Sequence, residues 1–132
     1  MLIEEILAIK RKCNLENEIA RVYNLTGKEM ACILGISKDQ VCSSRDLAAA
    51  IELSPSRSSR IIGKLIDQGL VQGKANPEDR RFLDLSLTEK GKICCHGLVK
   101  EKERCEQRLV SSLSGDEIDM IRKGLTLLLK AL

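Results

Sequence analysis

Apolar residues return at helical spacing along most of the chain and alternate cleanly in one short stretch only. Residues 2–22 place Leu2, Ile3, Ile6, Leu7, Ile9, Leu15, Ile19 and Val22 on a broad stripe, with charged residues on the other side, which predicts a helix. Little chain precedes that stripe, so it is expected to pack against a partner subunit. Thr26 followed three residues later by Glu29 forms a capping-box start. The helix it opens runs through Met30, Ile33 and Leu34 and is expected to stop near Gly35. Polar residues from Ser37 to Ser43 read as a connection.

Ser44–Ile51 is a short, Ala-rich helix with Ser43 or Ser44 as its cap. Leu53-Ser54-Pro55 breaks it, because Ser54 is a good N-cap and Pro55 suits the first helical position, where its missing N–H costs nothing. The next helix reaches about Gln68, with Ile61, Ile62, Leu65 and Ile66 on its apolar side and Gly69 at its end. Two short helices joined so tightly form a helix-turn-helix. Leu70–Ala75 then reads as a strand and Asn76-Pro77-Glu78-Asp79 as a turn. Phe82–Leu87 carries the alternation, Leu83, Leu85 and Leu87 against Asp84 and Ser86, and closes a hairpin, or wing. From a Thr88 cap a helix is expected to run to about Leu113. Ser114 and Glu117 open a last helix bearing Ile118, Ile121, Leu125, Leu128, Leu129 and Leu132.

With 132 residues, 43% of them hydrophobic, the chain suits one soluble domain. It has no apolar run of 18 residues, and its first residues, Met1-Leu2-Ile3-Glu4-Glu5, are acidic where an export signal would be basic. A cytoplasmic protein with no membrane partner is expected. Tyr23 and Phe82 are the only aromatic residues, which argues against stacking-based binding of single-stranded nucleic acid. A net charge of +3 implies little by itself; its placement matters more.

That placement favours a duplex. Ser54, Ser56, Arg57, Ser58, Ser59, Arg60 and Lys64 lie along the helix after Pro55, where Arg and Ser side chains can meet base edges and the helix N-terminus favours phosphate. A lone Arg on a helix is ordinarily a solvated residue, but the preceding helix, tight turn and following hairpin favour recognition here. In the wing, Lys74, Arg80 and Arg81 supply base, and Asp79 can brace one guanidinium through a forked hydrogen bond. An Arg so presented suits a narrow minor groove.

The set Leu47-Ala48, Ser54-Pro55-Ser56, Arg60, Leu65, Gly69-Leu70-Val71, Asp79-Arg80-Arg81 and Leu87-Thr88-Glu89-Lys90-Gly91 resembles the core signature of MarR-type regulators. The resemblance implies a mostly α fold: a winged helix-turn-helix with a two-stranded wing and N- and C-terminal dimerisation helices. On that division one domain comprises a dimerisation helix at 1–24, a DNA-binding region at 25–87 and dimerisation helices at 88–132. It implies a homodimer on a pseudo-palindromic operator of double-stranded DNA, usually a repressor released by a small-molecule effector or an oxidant, with no cofactor. Apolar stripes at both chain ends point to dimerisation independently. Two departures stand out: the first helix is short for the family, and Ser58 stands where Val or Thr is common.

Cys94, Cys95 and Cys105 cluster with His96 on the helix after the wing, and Cys13 follows Lys10-Arg11-Lys12. Thiol sensing at Cys13, Cys94, Cys95 and Cys105 is one reading. Reduced cysteines filling core and interface space is the favoured one. No C-x-x-C pair suggests a metal site. One histidine and no nucleophile–base–acid set leave no catalytic residues, so no enzyme is expected. The rival function is a winged-helix protein-interaction module without sequence-specific DNA binding.

Overall fold

A computed structural model describes residues 1–132, the side chain of Asp39 excepted. Seven helices and three short strands follow in the order α1 (Leu2–Lys12), α2 (Leu15–Arg21), α3 (Gly27–Asp39), β1 (Val41–Ser43), α4 (Ser44–Ala50), α5 (Pro55–Asp67), β2 (Val71–Ala75), β3 (Leu83–Leu87), α6 (Glu89–Val110) and α7 (Gly115–Ala131). The helix-turn-helix and its hairpin stand where the sequence places them.

Four boundaries differ from the sequence reading. The single helix expected over 2–22 is two, because Cys13 adopts an extended conformation (φ −81°, ψ 111°) and Asn14 takes the N-cap position of α2. The helix expected to stop at Gly35 continues to Asp39. Gly35 is not a terminator there: a Cβ on it would lie 2.9 Å from Leu47 Cδ1, so glycine lets α4 pack close. Part of the supposed connection, Val41–Ser43, is a strand pairing antiparallel with β3 (Val41 opposite Ser86), which makes the sheet three-stranded in the order β1-β3-β2. Finally, α6 ends at Val110 rather than near Leu113, and the Ser111 hydroxyl donates to the Arg108 carbonyl (2.8 Å).

Between Ser43 and Ser44 the two roles are divided. Ser43 Oγ caps α4 by accepting from Asp46 N (3.1 Å), while Ser44 Oγ accepts from Leu83 N (3.0 Å) and ties α4 to the wing. Both helices of the helix-turn-helix end in paired 6→1 and 5→2 bonds: Leu53 N to Ala48 O and Glu52 N to Ala49 O, then Leu70 N to Leu65 O and Gly69 N to Ile66 O. Gly69 supplies the left-handed residue at φ 72° in the second; Glu52, at φ 54°, does so in the first despite its side chain.

Ile33, Ile36, Leu65, Val71, Leu85 and Leu98 are fully buried and join α3, α5, the sheet and α6 in one core. The joint between wing and α6 is tightly made. Thr88 Oγ1 donates to Gly69 O (2.6 Å) and accepts from Gly91 N (3.0 Å), and Thr88 N donates to Leu70 O (3.1 Å). Lys90 Nζ donates to Gln68 O (2.9 Å), so α6 caps the end of α5. A Cβ on Gly91 would come within 1.9 Å of Leu70 O, which is why glycine stands there. By contrast, α1 and α7 bury no residue.

Candidate nucleic-acid interface

The N-terminus of α5 is set by Ser54, whose hydroxyl accepts from Arg57 N (3.3 Å) and lies 3.4 Å from Ser56 Oγ. Pro55 follows at the first helical position. Ser54, Ser56, Arg57, Ser59 and Arg60 are exposed, so the start of the helix offers hydroxyls and two guanidinium groups to solvent. Two of the residues expected on that face behave differently. Ser58 is only 2% exposed and turns inward among α4, α5 and the wing, because helical spacing carries it to the side of Ile62 and Leu65. The Lys64 ammonium is engaged by Glu29 Oε1 at 2.6 Å.

At the wing tip, Asn76 forms the turn, its Oδ1 accepting from Glu78 N (2.9 Å) and Asp79 N (3.1 Å). Asn76 Nδ2 also donates to Asp84 Oδ1 (2.9 Å), fixing the turn to β3. The expected fork is present. Arg81 donates from Nε to Asp79 Oδ1 (3.0 Å) and from Nη2 to Oδ2 (2.8 Å), and Arg81 N donates to Oδ1 (3.1 Å). These hydrogen bonds from Arg81 hold the Asp79 carboxyl down at about 2, below its ordinary 3.8. Arg80 and Lys74 are exposed; Lys74 sits on β2 opposite Asp84.

Two residues that sequence reasoning left out complete this surface. Arg45 on α4 and Arg81 on the wing each place Cζ near the Phe82 ring, at 5.6 and 5.8 Å from its centroid, so the ring steadies two cations. Phe82 was legible only as a strand residue, and nothing in the local sequence brings Arg45 to it. A cavity of about 340 Å³ lies among Arg45, Ser59, Ile62, Arg81 and Phe82, joining α4, α5 and the wing around one concave, basic-rimmed surface.

The cysteines do not form part of it. Cys94, Cys95 and Cys105 are buried on α6, and burial, then the neighbouring Cys95 thiol, raises the Cys94 thiol. Burial, reinforced by the Glu29 charge, pushes the Cys32 thiol up to about 12. Cys13 is exposed and His96 lies on the surface. Among the described residues no group of three or more His, Cys, Asp and Glu side chains could hold a metal ion.

The fold and surface define a winged helix-turn-helix protein. The MarR family matches residues 23–81. The HTH-type transcriptional regulator BilQ of Clostridium symbiosum is 31% identical over 88 residues, 64% of this chain, and this chain spans only 59% of that relative's length. The BilQ of Clostridioides difficile is 28% identical over 120 residues, covering 86% of this chain and 81% of the relative. A mutant of MarR from E. coli, solved in complex with operator DNA, shares the fold at a TM-score of 0.77 and 22% identity, over 98% of this chain and 99% of that one. The chain has a winged-helix fold similar to that of MarR.

Proposed function

We propose that the protein is a sequence-specific, double-stranded DNA-binding transcriptional regulator, a repressor, acting in the cytoplasm as a homodimer on a pseudo-palindromic operator. One observation carries the reading: the start of α5 exposes Ser56, Arg57, Ser59 and Arg60, and through Ser59 it shares a concave surface with a wing whose Arg81 is braced by Asp79. A helix N-terminus of that character suits the major groove, and a braced Arg suits the minor groove beside it. The exposed apolar faces of α1 and α7 suit association of two chains, which would set two reading helices about one DNA turn, or a multiple of it, apart. Dissociation from DNA would follow a small-molecule effector that changes that spacing. No membrane partner belongs to this reading, and among the described residues no helix is long and apolar enough to cross one. Use of the same surface on a protein partner would call for acidic residues along α5; its exposed start carries Ser and Arg instead.

Selection of bound fragments from random duplex DNA, followed by footprinting, tests the reading; a palindrome should be enriched. A dimer making six to ten phosphate contacts should lose about 10³–10⁵ in affinity between 50 and 200 mM salt. Arg81→Ala should weaken operator binding by roughly 1–3 kcal/mol while the chain stays folded. A flat salt response, or no enriched palindrome, would overturn DNA binding.

A further inference from the structure

Among the described residues, Glu29 is the only charged side chain that is buried. It stands in the stripe Glu29, Cys32, Ile33 and Ile36 by which α3 enters the core. Both carboxylate oxygens are committed: Oε2 accepts from Thr26 N (3.2 Å) within the capping box, and Oε1 accepts from Lys64 Nζ (2.6 Å). The pair is unequal, with side-chain exposures of 4% for Glu29 and 53% for Lys64. A carboxylate so enclosed needs its countercharge, because an unpaired buried charge is strongly unfavourable. Lys64 is therefore held.

Where Lys64 sits gives the pair its interest. Arg57, Arg60, Ile61 and Lys64 line one surface of α5, at the i, i+3, i+4, i+7 spacing of a single helix face. Three cations thus share a face of the helix that the reading above sends into the groove. An acid from another helix neutralises one of them.

Resting on that DNA-binding reading, we infer that Glu29 withholds Lys64 from DNA and thereby sets sequence discrimination. The pair fixes α5 against α3 and confines the free charge of this helix face to Arg57 and Arg60. A released Lys64 would add a phosphate contact, which strengthens binding to any duplex and carries no sequence information. Lys64 is then a positioning residue and Glu29 a specificity-determining one, although neither touches a base.

The experiment measures binding of the full chain to its selected operator and to a scrambled duplex of equal length, across a salt series. It compares wild type with E29Q, K64Q, K64R and the double variant E29Q/K64Q. Glutamine at 29 keeps an acceptor for Thr26 N and nearly the same volume, so E29Q removes little but the charge. E29Q should tighten scrambled-duplex binding about threefold to tenfold per reading helix and steepen the log–log salt slope by about one unit per helix. The operator-to-scrambled ratio should fall accordingly. K64R, still able to pair with Glu29, should keep the wild-type slope and ratio. K64Q and the double variant should keep the wild-type slope; the double, with no orphaned charge, remains informative if K64Q does not fold. The inference is overturned if both lysine-free variants lose about one unit of slope per helix while E29Q leaves the slope unchanged, because Lys64 would then be an ordinary phosphate contact. A wild type showing no salt-dependent duplex binding overturns the DNA-binding reading itself, and this inference with it.

Discussion

The winged region and the two chain ends are written with the same apolar periodicity but bury very different amounts of it. From Leu25 to Leu98 the stripes close on one another, and Ile33, Ile36, Leu65, Val71, Leu85 and Leu98 lose all or nearly all contact with water. At the ends, Leu2, Ile3, Leu7 and Ile9 on α1, and Ile121, Leu125, Leu127 and Leu129 on α7, remain exposed. These two helices flank an apolar groove lined by Ile6, Ile9, Leu125 and Leu128. Amphipathic patterning makes a helix able to bury a face, and only a facing surface makes it do so. In the winged region the chain supplies that surface itself. At the ends it leaves apolar area of the kind that marks an association site.

Charge placed on the open faces would test this contrast most severely. Leu125→Asp combined with Leu129→Asp touches no residue buried within one chain, since α7 has none. In a dimer it should cost about 3–5 kcal/mol for each unpaired charge driven into the interface. Sedimentation should then report monomers with near-native helix content; an unaltered dimer would show that the ends associate by some other face.

Gly91→Ala tests the closed region. A Cβ placed 1.9 Å from Leu70 O must move backbone, not a flexible side-chain tip, and that backbone joins wing to α6. A loss of about 3 kcal/mol in urea unfolding is expected, at the upper end of overpacking effects. A neutral result would mean that the wing and α6 are not tightly joined.

The smallest effect belongs to the wing tip. Because the Asp79 carboxyl is lowered from 3.8 to about 2, the ionised carboxylate is the form that the fold favours. The fork's contribution is therefore complete above pH 3.8 and fades as pH falls toward about 2. An Arg81 Nε resonance followed by NMR should stay constant from pH 8 to 5 and shift only in acid. Movement near pH 5 would show that the fork does not hold the carboxyl down.

Much of the fold was legible because its signals are local. Thr26 with Glu29, Ser54 before Pro55, Gly69 after the helix and Ser114 with Glu117 each act within four residues, and each takes the terminal position its chemistry suits. Asp79 and Arg81, two residues apart, were readable as a fork for the same reason. Two of the misses were long-range. Val41–Ser43 is a strand because β3 lies alongside it, and Gly35 continues a helix because Leu47 needs its space.

The amino-acid sequence by itself determined the order of helices, the turn that joins α4 to α5, the hairpin and the braced arginine. These rest on backbone capping, proline geometry and side-chain periodicity, which need only neighbours in the chain. Tertiary structure alone decided which side chains of α5 remain available. Ser58 was drawn into the core, Lys64 was claimed by a glutamate 35 residues earlier, and Arg45 was brought beside Phe82. Such contacts arise when distant helices pack, and no local spacing encodes which residue will meet which.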